Sequence, residues 1–119
     1  MPLLSQNKII GNHKIEGFGD DFIPKIVDKK LIDEVILIND EDAINMSRKI
    51  AKELGIGVGI SSGANMIASI LAKENNKKEI VTVFPDDNKK YLSTDLNKPK
   101  DDNKNFISNK IELLDYIFI

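Results

Sequence analysis

The 119-residue sequence contains no cysteine, no tryptophan and only one histidine. Without cysteine, a disulfide scaffold, a thiolate nucleophile and a thiolate metal site are all excluded. The single histidine, His13, leaves little for an imidazole-based metal centre, and we expect no metal. No apolar run approaches the roughly 18 residues that a membrane helix needs, so we expect no membrane association.

Charge and hydrophobicity are those of an ordinary folded domain. Apolar residues make up 41% of the chain and charged residues 30%, with a formal net charge of −2. This balance is typical of globular proteins, and it lacks the basic excess that favours nucleic-acid binding. The N-terminus has neither the basic flank nor the long apolar core of a signal peptide, so the sequence predicts a cytoplasmic protein.

Three apolar segments predict β-strands. Residues 35–38 and 80–84 are nearly continuous apolar runs, which favours strands covered on both faces. Residues 56–60 alternate with glycines, which is typical of a short strand that another group approaches closely.

Two helices are predicted between these strands. The first runs from Glu41 to Leu54, with Asn39 or Asp40 as its N-cap and Gly55 as its stop. The second covers about residues 62–75 and is apolar around most of its circumference, which favours a buried helix. The alternation predicts an α/β fold, a partial three-layer sandwich in which helices flank a mostly parallel sheet.

The junction at residues 55–64 is the candidate ligand site. It joins a glycine-rich strand to a helix whose first N–H groups lack intrahelical partners, and such ends favour polar or anionic ligands. Either Ser61 or Ser62 is expected to cap this helix. We also expect the neighbouring acidic pairs at 41–42 and 86–87 to serve the helix dipole and a turn, respectively.

The sequence disfavours two catalytic interpretations, a serine hydrolase and a Schiff-base lysine. Residues 59–63 match the G-x-S-x-G elbow of α/β hydrolases, but hydrolases place the histidine after the serine, whereas His13 precedes it. Lys14 is a poor Schiff-base candidate because the neighbouring Glu16 favours its charged form.

Three ordered motifs resemble the cysteine synthase family, the O-acetylserine sulfhydrylases, which are pyridoxal-phosphate enzymes of fold type II. The motifs are His-Lys-Ile-Glu-Gly-Phe-Gly at 13–19, Gly-Ile-Ser-Ser-Gly-Ala at 59–64 and Tyr-Leu-Ser-Thr at 91–94. The resemblance covers about residues 2–96 and implies the C-terminal part of the large domain. Residues 97–119 are predicted to form a polar linker and an apolar tail.

The resemblance implies roles for four residues. Ser61 matches the serine that contacts the pyridine nitrogen of the cofactor, Pro85 lies beside the pyridine edge, and Gly17 and Gly19 line the substrate side. A lone hydroxyl does not strongly favour a protonated ring. The Schiff-base lysine and the phosphate loop belong to an earlier part of the family's sequence, so we expect no catalytic residue here and no cofactor bound by this chain alone.

Three functions remain open. The first is a C-terminal cysteine synthase fragment, inactive alone, that forms homo-oligomers through exposed strand edges. The second is a non-catalytic module that binds a full-length cysteine synthase, with Ile119 imitating the C-terminal isoleucine of serine acetyltransferase, which the family accepts in its active site. The third is a fragment of a related enzyme such as cystathionine β-synthase. Because the substrate loop is absent, the amino-acid substrate stays undetermined.

Overall fold

The computed structural model describes residues 25–76, 79–89 and 105–117, and the chain divides into two units, Met1–Leu37 and Ile38–Ile119. The described part of the first unit contains a 3-10 helix, Lys29–Leu31. The Asp28 carboxylate caps it by accepting a hydrogen bond of 3.0 Å from the Lys30 N–H. The apolar side chains of Ile26 and Leu31 are exposed.

Helix α1, Asp40–Leu54, has the predicted cap and stop. The Asn39 side-chain oxygen accepts from the backbone N–H groups of Glu41 and Asp42, at 2.9 and 3.3 Å. Gly55 ends the helix at φ 70°, a left-handed conformation that favours glycine, and its N–H donates to the Ala51 carbonyl. The Asn39 cap and the predicted end of this helix are confirmed, and the helix begins one residue earlier than predicted.

Helix α2, Ile60–Asn76, begins two residues earlier than predicted, and the expected serine cap is wrong. Gly59 precedes the helix, and its carbonyl accepts the first intrahelical hydrogen bond from the Gly63 N–H at 3.3 Å. Ser61 and Ser62 therefore lie within the first turn of the helix rather than at its N-cap position. The same early start removes Ile60 from the predicted strand.

Close packing of α1 on α2 depends on Gly63. A Cβ at this position would lie 2.5 Å from Ser47 Oγ and would collide with the carbonyl oxygen of Ala43. The helices bury a common core centred on Met46, Ile50, Val58 and Ile67. Around this core pack partly buried apolar side chains: Ile38, Ile56, Met66, Leu71, Ile107, Ile111 and Leu113.

No strand is assigned among residues 25–76, 79–89 and 105–117, so the predicted parallel sheet is not shown. The β-type contact found there is an isolated antiparallel bridge between Val58 and Asp87. In the predicted strand at 80–84, Val81 and Val83 are 95% and 65% exposed, so the expected burial of this segment is wrong. A strand pairs its N–H and C=O groups with neighbouring strands, and the described residues supply none for this segment.

The C-terminal segment packs on α1. It contains a second 3-10 helix, Ile107–Lys110, preceded by the buried Phe106. Asp42 is 4% exposed, and its two carboxylate oxygens accept from the N–H groups of Ile107 and Ser108 at 2.9 and 3.0 Å. Asp42 is thus more than the dipole-complementary charge that the sequence suggested.

Two further side chains of α1 hold the same segment. The Asn45 amide donates to Ser108 Oγ and to Asn109 Oδ1, both at 2.9 Å. The Lys49 ammonium donates to the carbonyl oxygens of Ser108 and Ile111. Asp42, Asn45 and Lys49 form what we call the tail clamp.

As for membrane insertion, neither α1 nor α2 nor any other helix in the described ranges has the length and apolar character to cross a bilayer.

Candidate functional site

The glycine-rich loop before α2 faces the segment that follows residue 84. The Gly59 N–H donates to the carbonyl oxygen of Asp86 at 3.1 Å, next to the bridge between Val58 and Asp87. The Ser61 hydroxyl donates to Asp86 Oδ1 at 3.4 Å. Two segments distant in sequence thereby bring a hydroxyl and a carboxylate together at the start of a helix.

Helix α1 holds the glycine-rich loop through a hydrogen bond to Gly59. Ser47 is 1% exposed, and its Oγ donates to the Gly59 carbonyl at 2.7 Å. The Gly59 carbonyl also accepts from the Gly63 N–H, so both of its lone pairs are used. Since the Gly59 N–H donates to the Asp86 carbonyl oxygen, both the N–H and the C=O of the residue two positions before Ser61 are held by hydrogen bonds.

The close approach of another group predicted for residues 56–60 is confirmed at Gly57. A Cβ on Gly57 would lie 2.8 Å from Asn88 Oδ1, so the Asn88 side chain lies against one side of this exposed residue. Gly63 is covered by α1, as described above. Protein groups, rather than open space, therefore occupy the room that these two glycines leave.

The two serines of the motif differ in their surroundings. Ser61 is half-buried and bonded to Asp86, so it borders solvent and has a polar partner. Ser62 is fully buried, and among the described residues its Oγ has no hydrogen-bond partner. Of the two hydroxyls, that of Ser61 is the one a ligand can reach.

The other residues singled out in the sequence have different outcomes. Pro85 is exposed and directly precedes Asp86, so it lies in the segment that faces Ser61. Gly17 and Gly19 fall outside the described residues, as do His13 and Lys14.

Asp86 is the residue that sequence reasoning missed. Its neighbour Asp87 does form the expected turn, by accepting from the Lys89 N–H at 2.9 Å. Asp86 instead turns toward Ser61. The available signal was its position two residues after a predicted strand, near the strand end where the polar residues of α/β sites are commonly found.

Two cavities lined by described residues lie away from Ser61. One of about 300 Å³ lies beside the tail clamp and is lined by Asn45, Arg48, Lys49, Lys52, Glu53 and Asn109. The other, of about 380 Å³, is a largely apolar groove between α2 and the 80–82 segment, lined by residues that include Met66, Ile70 and Ile80. The described residues hold no group of three His, Cys, Asp or Glu side chains placed to bind a metal ion.

Comparisons with known proteins find relatives that match most of this chain. The chain is 53% identical over 96 residues to cysteine synthase B of Campylobacter jejuni, covering 80% of this chain and 31% of that protein. It superposes with a TM-score of 0.75 and 48% identity on a hydrogen sulfide-producing enzyme crystallised with an alpha-aminoacrylate intermediate, covering 83% of this chain and 30% of that enzyme. For the cysteine synthase of Entamoeba histolytica the values are 0.70 and 45%, with 76% and 28% covered.

No protein-family model matches the chain. The chain spans about 30% of the length of the curated relatives it matches. Identities of 44–53% to several cysteine synthases, together with TM-scores of 0.70 and above, are too high to reflect the fold alone. The chain therefore belongs to the cysteine synthase family and corresponds to the C-terminal portion of its members.

Proposed function

We propose that this chain is the C-terminal part of a pyridoxal-phosphate-dependent cysteine synthase and is active only together with the part of the fold that it does not span. The parent reaction replaces the acetate of O-acetylserine with sulfide and yields cysteine and acetate. The observation that carries the proposal is the pairing of Ser61 with the 85–87 segment, within a chain that is 53% identical to a cysteine synthase.

The residues at this site fit a pyridine ring. A pyridine nitrogen needs one polar partner, and a serine hydroxyl can either donate to it or accept from it. Ser61 is half-buried at the helix start, and we assign it to the ring nitrogen, with Pro85 beside the ring edge. Gly17 and Gly19 are proposed to line the substrate side. When bound, pyridoxal phosphate supplies the electron sink for the reaction.

This chain is proposed to contribute no covalent catalysis. In the family the Schiff-base lysine and the phosphate loop belong to the part that precedes the matched region. Ser61 then orients the ring, and the loop fixed by Ser47 and Gly59 keeps that hydroxyl in place. The chain alone is expected to lose pyridoxal phosphate on dialysis.

The exposed apolar segment at 80–84 supports an assembly of two parts. Val81 and Val83 are largely exposed, and the adjoining groove along α2 is apolar. Contiguous apolar surface of this kind marks an interface, and a sheet edge favours a neighbouring strand. We propose that the missing part of the cysteine synthase covers this surface.

Coexpression tests the proposal. The partner is the part of the Campylobacter jejuni relative that this chain does not span, and the readout is cysteine formed from O-acetylserine and sulfide. We expect neither part to be active alone and the copurified pair to be active. In that pair, Ser61→Ala should weaken retention of pyridoxal phosphate. Copurification without activity, even with added pyridoxal phosphate, would contradict the proposed function.

A second candidate is a module that binds a complete cysteine synthase. It is favoured by the end of the tail, where Leu114 and Ile117 are 82% and 87% exposed beyond the residues held on α1. The same coexpression and copurification, repeated with the full-length relative as the partner, separates the two candidates. Binding that is lost on deletion of Ile119 supports the module, whereas binding that is unchanged by this deletion rules out the tail as its ligand.

A further inference from the structure

Asp86 gives the candidate site a property that a serine hydroxyl alone lacks. Ser61 Oγ lies 3.4 Å from Asp86 Oδ1. An ionised carboxylate only accepts hydrogen bonds, so the hydroxyl supplies the proton. A serine has one hydroxyl proton, and once it points at Asp86, Oγ can offer only lone pairs to a further partner.

We propose that Asp86 is a positioning residue that directs the Ser61 proton away from the ligand, so that Ser61 accepts a hydrogen bond from a protonated pyridine nitrogen. This inference rests on the proposed function, because it takes the pyridine ring as the ligand of Ser61. It departs from the family-based expectation of a hydroxyl that leaves the ring neutral.

The backbone holds the two groups in this arrangement. The carbonyl of Asp86 itself accepts from the Gly59 N–H at 3.1 Å, two residues before Ser61. The next residue, Asp87, forms the bridge with Val58. The carboxylate and the hydroxyl therefore sit on facing segments that are tied to each other, and a rotation of one side chain alone does not separate the segments.

Charge acts in the same direction as the hydrogen bond. Ser61 and Asp86 are both half-buried, so solvent screens the carboxylate less than it screens a fully exposed one. A negative charge near a basic nitrogen favours the protonated form of that nitrogen. The proton comes from solvent and stays on the ring nitrogen, and no covalent bond between heavy atoms forms or breaks. A protonated ring withdraws electrons more strongly than a neutral one.

The test uses pyridoxine 5′-phosphate with a ¹⁵N-labelled ring, added at millimolar concentration to the copurified pair described above after its pyridoxal phosphate has been removed. Nitrogen NMR then follows protonation of the bound ring as a function of pH. Asp86→Asn removes the carboxylate at nearly constant shape. Asp87→Asn is the matched control, because it removes the same charge one residue away, where the carboxylate serves the Lys89 N–H.

We expect the wild-type chain and Asp87→Asn to keep the ring protonated to higher pH than Asp86→Asn. The expected difference is about tenfold in the protonation equilibrium, or about one unit in the pKa of the bound ring. The sign follows from the charge, since the carboxylate stabilises the cationic ring and its loss lowers that pKa. Asp86→Glu, which restores a carboxylate, should recover part of the difference.

The outcomes separate this inference from the proposed function. If Ser61→Ala abolishes binding while Asp86→Asn titrates like the wild type, the role of Asp86 is wrong and the cofactor contact of Ser61 stands. If the wild-type pair forms no cysteine and shows no saturable binding, the proposed function fails and this inference fails with it, whereas an active pair whose bound ring titrates alike with and without the Asp86 carboxylate overturns the inference alone. Circular dichroism of each variant identifies an unfolded one. If Asp86→Asn does not fold, Asp86→Ala takes its place: a lowered pKa of the bound ring supports the inference, and titration like Asp87→Asn overturns it.

Discussion

At the residue scale, several polar side chains hold the molecule together through partners that are distant in sequence. Asp42 is the clearest case, because the helix dipole alone would lead one to expect an acidic residue in the first turn of a helix. Its carboxylate is nevertheless buried and accepts two backbone N–H groups of the C-terminal segment. A local pattern cannot indicate a partner that lies 65 or 66 positions away.

Replacing Asp42 by alanine is expected to lower the free energy of unfolding by about 2–3 kcal/mol, because the N–H groups of Ile107 and Ser108 lose a charged acceptor. Urea denaturation followed by circular dichroism measures the change. Glu74→Ala removes an exposed carboxylate on α2 and should shift stability by no more than about 0.5 kcal/mol. Equal effects of the two variants would refute a structural role for the Asp42 carboxylate.

At the element scale, the sequence predicted α1 almost to the residue and placed α2 two residues late. The first helix has a side-chain cap and a terminal glycine, which are local signals that survive in any context. The start of α2 depends instead on the Gly59 carbonyl, which is held by Ser47 from another helix. Ser61 was predicted as a site residue from its motif. Its contact with Asp86 could not be predicted, because that contact depends on the bridge between the two segments.

The helix pair gives a prediction with an unusual sign. Glycine to alanine inside a helix normally stabilises by up to about 1 kcal/mol. Gly63→Ala should instead destabilise by about 1–3 kcal/mol, because the new methyl group meets the backbone of Ala43 and the Ser47 hydroxyl.

Gly57→Ala is the comparison for this prediction. Its added Cβ meets only the end of the Asn88 side chain, which can move aside, so thermal unfolding should change much less than for Gly63→Ala. A stabilised Gly63→Ala variant would mean that the helices do not cross as closely as described.

At the scale of the whole molecule, the described residues include two packed helices and leave exposed the segment at 80–84, which was predicted to be a strand. A strand cannot be judged from its own residues, since its stability comes from neighbours on both sides. The apolar pattern at 80–84 predicted burial from the residues of this segment alone. It could not reveal that the residues described here leave that segment bare.

We expect the isolated chain to associate through this segment at micromolar concentration. Val81→Lys combined with Val83→Lys should shift the light-scattering mass toward a single chain, because lysine on an exposed edge opposes pairing. Leu114→Lys alters an equally exposed apolar residue outside the segment and should leave the mass unchanged. A single-chain mass for the wild type would contradict the expected association.

The tail clamp has a consequence for biosynthesis. Its hydrogen bonds join residues 59 to 66 positions apart, and their C-terminal partners lie within the last fifteen residues of this chain. During translation, at roughly 5–20 residues per second, α1 and α2 leave the ribosome seconds before the segment that completes their core. Until then, water solvates the Asp42 carboxylate and the apolar surface that Ile107, Ile111 and Leu113 cover stays exposed. We therefore expect a chain terminated just before residue 106 to be bound by chaperones or degraded by proteases.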